Sequence, residues 1–107
     1  MNEYVEAHGH PDGVFCVNDS VALGVQSALL RHSLKIPDDT AMVGCDGLEF
    51  TEFLPVSLTT IELPTSEMCE KALRFLFNRI EDRSLPQQGT VIKPRLIVRE
   101  SSSRYGK

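Results

Sequence analysis

The sequence predicts an α/β fold, a mostly parallel sheet flanked by helices. Three observations carry this: uninterrupted apolar runs that end on Asn or Asp, amphipathic stretches between them, and turn residues at the junctions. At 107 residues and 41% hydrophobic content the chain supports one ordinary core. No apolar run approaches the roughly 20 residues that span a bilayer, so a membrane role is not expected. The formal net charge of −4 opposes direct contact with nucleic acid, whose affinity comes from Lys and Arg on phosphates.

The first eight residues read as the end of a helix, stopped by turn residues from His8 to Gly13. Val14-Phe15-Cys16-Val17 follows as a strand covered on both faces, ending abruptly in Asn18-Asp19. Asn18 or Asp19 then makes an N-cap, because a short side-chain oxygen can accept a free first-turn N–H. The helix is expected over 20–32. Its apolar residues, from Val21 through Leu30, cover an arc of roughly 220°, wider than one sheet contact needs. Gly24 in its middle costs about 1 kcal/mol relative to Ala and reads as a concession or a close approach.

Ala41-Met42-Val43-Gly44-Cys45 gives a second strand, again ending on an acid, Asp46, with Gly47 marking a turn. The segment 49–54 is expected as a short helix presenting Phe50, Phe53 and Leu54 at i, i+3, i+4. A third strand is expected over 58–62. From Thr65 to Ile80 an amphipathic helix repeats Met68, Ala72, Leu76 and Ile80 at four-residue spacing and needs a sheet to cover it. Val91-Ile92 and Leu96-Ile97-Val98 give further strand material, with Pro94 arguing against a central position. The tail from Ser101 reads as frayed.

Ligands of open parallel sheets bind beyond the carboxyl ends of the strands, where Asn18, Asp19 and Asp46 fall. A carboxylate that accepts and an amide that donates and accepts suit neighbouring hydroxyls, as on a polyol or sugar. The plainer alternative is that Asn18 caps its helix and Asp46 holds a turn. Enzyme readings are weaker: His8, His10 and His32 read as surface residues, and no nucleophile elbow accompanies them. Asp38-Asp39 with Asp46 lacks the alternating pattern of a calcium loop and reads as a turn. Cys16, Cys45 and Cys69 lack metal or redox spacing and read as inert buried thiols. No GxGxxG or phosphate-loop pattern is present, so neither a cofactor nor a metal is expected.

Pro11 to Gly24, Ile36 to Asp46, Leu58 to Ile61 followed by Pro64, and Arg95 to Ser101 together resemble, in order and spacing, the C-terminal part of LacI/GalR transcriptional regulators. The resemblance implies a partial periplasmic-binding-protein-like (type I) fold, with 1–62 and 94–101 in the second lobe and 65–90 crossing into the first. It implies only the last third or so of such a regulator, with any helix-turn-helix lying elsewhere. Asn18, Asp46 and Leu63 match effector-holding positions, for a sugar or nucleoside-like small molecule. An apolar Leu63 weakens the polyol reading, while Gly47 and Cys45 depart from the usual Asp or Asn and the usual aromatic. Leu23, Ser27, Phe50, Phe53 and Leu54 match the family's homodimer surface, as does the overly wide apolar arc. The expected function is the effector-sensing and dimerisation part of a cytoplasmic transcriptional regulator, not an enzyme. Two alternatives remain: a truncated self-association module without ligand, or part of a periplasmic sugar-binding protein.

Overall fold

The computed structural model describes residues 1–103. They divide into two compact units, one comprising Met1–Glu62 and the chain from Leu96 onward, the other Leu63–Arg95.

The first unit opens with helix α1, Asn2–His8, closed by Gly9 at a φ of 76°. Strand β1 (Gly13–Phe15) leads to helix α2 (Asp19–Arg31), then to strand β2 (Ala41–Asp46), a 3-10 helix over Glu49–Phe53, and strand β3 (Thr59–Glu62). Strand β4, Arg95–Ile97, completes a four-stranded sheet of order β1-β2-β3-β4. The pairs β1–β2 and β2–β3 are parallel, in the registers Phe15 with Val43 and Asp46 with Glu62. β4 lies at an edge of that order, where a preceding Pro94 without an N–H does least harm.

The core gathers where α2 lies on the sheet: Cys16, Ala22, Leu29, Ile36, Met42 and Leu58 are buried together. α2 therefore spends Ala22, Ala28 and Leu29 inward, while Leu23 and Leu30 stay exposed on the wide flank of the arc. Gly24 is exposed, and a Cβ built there meets nothing within 4 Å, which supports the concession reading. Gly24→Ala is accordingly expected to raise stability by about 1 kcal/mol. Urea unfolding measures this directly, and a lowered midpoint would reveal a contact on that face.

Several expectations are corrected. β1 ends at Phe15 rather than Val17, with only the Cys16 N–H continuing to the Val43 carbonyl at 2.8 Å. Phe15 in this edge strand, and Val17 beyond its end, are exposed rather than covered. Val91-Ile92 lies outside any strand. Of the cysteines only Cys16 is buried; Cys45 is half-buried and Cys69 exposed. Ser101–Ser103 is not frayed: Ser101 is fully buried, its Oγ donating to the Met42 carbonyl at 2.7 Å and accepting from the Thr59 N–H at 2.8 Å. Arg99 adds Nη1 donations to Thr51 Oγ1 at 2.8 Å and to the Leu58 carbonyl at 3.0 Å. Polar partners, not apolar periodicity, hold this segment, which is why its composition looked like a loose end. The rest of the expected tail, 104–107, lies outside the described residues.

The second unit is built on helix α3, Thr65–Glu81, as the four-residue repeat predicted. Phe75 and Leu85 are half-buried and line a groove with Arg79 and Pro86. None of the residues of α3 is fully buried, and Ile80 is 63% exposed. No helix among the described residues is long and apolar enough to cross a membrane.

Candidate functional site

Parallel pairing puts the carboxyl ends of β1, β2 and β3 along one edge of the sheet. Asn18 follows β1 there. Asp46 is the last residue of β2 and faces Glu62, the last residue of β3, across the ladder.

Asn18 is the N-cap of α2: with extended backbone at φ −153°, its Oδ1 accepts from the Val21 N–H at 2.8 Å. Capping occupies only the oxygen, and the Nδ2 donors have no partner among the described residues. The cap and the ligand-gripping roles are therefore compatible. Asp46 is half-buried at a φ of 121°, a conformation unusual for a non-glycine residue, and its carboxylate has no hydrogen-bond partner among the described residues. Strained backbone of this kind costs roughly 1–3 kcal/mol and persists only where its surroundings enforce it.

The enforcing contacts come from residues to which sequence reasoning gave no such role. Asp19 is completely buried, and both of its oxygens are used: Oδ1 accepts from Thr60 Oγ1 at 2.7 Å, and Oδ2 from the Leu48 N–H at 2.8 Å. Thr60 Oγ1 in turn accepts from the Gly47 N–H at 3.3 Å. The turn that follows Asp46 is thus clasped to the first residue of α2. The nearest signal in the sequence was Asp19 beside a strand end, but an N-cap candidate and a buried acceptor look alike there.

Gly47 is explained by the same turn. Its φ is 76°, and a Cβ there would lie 2.6 Å from the Glu62 Cα, so the departure from Asp or Asn has a local cause. Cys16 is buried at the end of β1, and burial first, then the negative charge of Asp19, pushes its thiol above its ordinary value. It stays protonated and unreactive at neutral pH. Leu63, the third expected effector residue, opens the second unit and is half-buried.

On the other flank of α2, Leu23 and Ser27 are exposed. Buried Gln26 between them donates from Nε2 to the Val56 carbonyl at 2.9 Å and accepts at Oε1 from the Val56 N–H at 3.2 Å. This double bond pattern pins the chain after the 3-10 helix against α2. A groove of about 420 Å³ results, lined by Leu23, Ser27, Leu30 and Pro55 among others. Phe53 is 74% exposed, Phe50 is half-buried, and Leu54 packs in part against the core. Gln26 is a second residue that sequence reasoning missed, since one polar position inside an apolar arc gives no hint of its partner.

His32 meets Asn2 Oδ1 at 3.2 Å, and His10 the Pro11 carbonyl at 3.4 Å. No cluster of three or more His, Cys, Asp or Glu fit for a metal exists among the described residues.

Residues 1–102 match the family described as a periplasmic binding protein-like domain. The chain belongs to that domain family, in its LacI-type branch. It is 36% identical over 101 residues to the HTH-type transcriptional repressor PurR of Mannheimia succiniciproducens, covering 94% of this chain and 30% of that protein. Against the HTH-type transcriptional repressor MelR of Bacillus subtilis it is 40% identical over 94 residues, covering 87% and 27% respectively. A LacI family transcriptional regulator from Arthrobacter sp. FB24, solved in complex with lactose, superposes with a TM-score of 0.85 at 30% identity, over 95% of this chain and 38% of that one. The chain thus spans about a third of the length of the relatives it matches. The PurR and MelR relatives are HTH-type transcriptional repressors by name.

Proposed function

We propose that this LacI-type domain supplies the effector-sensing and self-association part of a bacterial transcriptional regulator, with a sugar or nucleoside-like small molecule held by Asn18 and Asp46. The observation that carries the reading is the half-buried, unpartnered carboxylate of Asp46 on strained backbone, at the same sheet edge as the unused amide donors of Asn18. Together they accept from and donate to neighbouring hydroxyls, the chemistry a sugar presents. Lactose in the Arthrobacter protein agrees with that ligand class. Leu63 is assigned to the same effector on family resemblance alone.

Calorimetric titration of the chain with lactose, glucose and adenosine tests the reading. One of them is expected to bind, and Asp46→Ala to weaken it by at least about tenfold, since a hydrogen bond to a charged group contributes about 1.5–3 kcal/mol. Binding of none of the three, or full binding by Asp46→Ala, refutes the assignment.

Self-association is assigned to Leu23, Ser27, Phe50, Phe53 and Leu54 as a homodimer surface, supported by the exposure of Leu23, which lines the α2 groove, and by that of Phe53. The same exposure favours, as a second reading, a self-associating module that binds no ligand. Sedimentation separates these from a monomer, and the titration separates them from each other. DNA contact is assigned to a helix-turn-helix segment beyond these residues, and the setting to the cytoplasm, by analogy with the HTH-type repressors.

A further inference from the structure

Among the residues around the sheet edge, Asp19 makes no contact suited to a ligand, since it is completely buried with both oxygens occupied. Its partners nevertheless bracket the candidate site. One neighbour in sequence is Asn18, and the carboxylate reaches across to Leu48, two residues past Asp46. Thr60 closes the circuit, donating to Asp19 Oδ1 while accepting from the Gly47 N–H between Asp46 and Leu48. Gly44 completes the fit, because a Cβ at that point of β2 would run into the Asp19 carboxylate. Leu48 is also the residue from which the 3-10 helix bearing Phe50 and Phe53 starts.

We infer that Asp19 is a positioning residue: its carboxylate, with the Thr60 hydroxyl, holds the 46–48 turn in the conformation that sets Asp46 relative to Asn18. The argument is one of stiffness. Asp46 and Gly47 both have positive φ, at 121° and 76°, and a turn of that kind relaxes unless it is tied down. Two N–H groups of the turn are tied to one buried acid–hydroxyl pair. A buried hydrogen-bonded pair resists displacement because any opening leaves a desolvated group unsatisfied. The functional half of the inference rests on the effector reading above; the conformational half does not.

The test compares Asp19→Ala and Thr60→Val with Ser101→Ala. Ser101 is equally buried and bridges Met42 and Thr59 in the same sheet, but its side chain hydrogen-bonds to none of residues 46–48, so its variant controls for lost stability. Two quantities are read at a temperature where each variant is folded: hydrogen exchange at the Gly47 and Leu48 amides, and the dissociation constant for lactose. Expected are exchange at Leu48 faster by at least about tenfold in Asp19→Ala, at Gly47 likewise in Thr60→Val, and a lactose constant raised about tenfold in both. Ser101→Ala should leave all three unchanged. Unaltered exchange at both amides, or an equal loss of affinity in Ser101→Ala, overturns the inference. Should Asp19→Ala fail to fold, Thr60→Val, which keeps size and removes one hydroxyl, decides it. Absence of lactose binding by the parent chain defeats the effector reading for that sugar, while the exchange result still decides the role of Asp19.

Discussion

Gly44→Ala is expected to destabilise the first unit by about 3 kcal/mol or more, a large fraction of the 5–15 kcal/mol that holds an ordinary domain together. Gly44 is buried in the middle of β2, and a Cβ there would lie 2.9 Å from Leu58 Cδ2 and closer still to Asp19 Oδ1. Leu58 is a flexible end, but it is fully buried in the core and has little room to retreat. Asp19 has none: swinging its carboxylate breaks the bonds to Thr60 and Leu48. Overpacking alone costs about 1–3 kcal/mol, and leaving a buried donor unsatisfied costs about 1–3 kcal/mol more. For a chain of this size the thermal midpoint should fall by more than about 10 °C. The same substitution at Gly24 is expected to raise it, so the two alanines form an internal contrast. A Gly44→Ala protein that melts at the parent's temperature means that the carboxylate does not sit where Gly44 makes room for it.

The contrast also shows which parts of the molecule are legible in the sequence. Apolar runs and helical periods are signals of burial, and they located α2, β2, β3 and α3 to within a residue or two. The carboxyl-edge placement of Asn18 and Asp46 followed from the same reasoning, because parallel strands share an edge. What stayed hidden is held by polar side chains whose partners are distant in sequence: Asp19 with Thr60, Gln26 with Val56, Ser101 with Met42 and Thr59. Every buried side-chain oxygen and nitrogen among the described residues has a partner, so these pairs are part of the core rather than exceptions to it. A hydrophobicity pattern scores such residues as surface, and it therefore took Ser101 for a loose tail. The converse error arose at β1, where an apolar run was read as covered on both faces although Phe15, and Val17 beyond the strand's end, are exposed.

Gly47 carries the second large effect, and it separates two causes that are easily confused. Its φ of 76° alone favours glycine, and a side chain there costs on the order of 1 kcal/mol, less for Asn, which tolerates the left-handed region. Space is the second cause: a Cβ would come within 2.6 Å of the Glu62 Cα and 2.8 Å of its Cβ. Backbone atoms of a paired strand cannot turn aside as a side-chain end can, and Glu62 is the ladder partner of Asp46. Gly47→Ala and Gly47→Asn should therefore both lose about 2–4 kcal/mol, with Asn recovering at most the smaller, conformational part. Chemical denaturation of the two variants beside the parent measures the difference. Because the displaced strand end is the one opposite Asp46, the effector role proposed for Asp46 carries the further expectation that both variants lose affinity even under conditions where they are folded. Asn at 47 with parental stability would mean that φ is the whole constraint, and that a residue of the usual Asp or Asn type could have stood here at no cost.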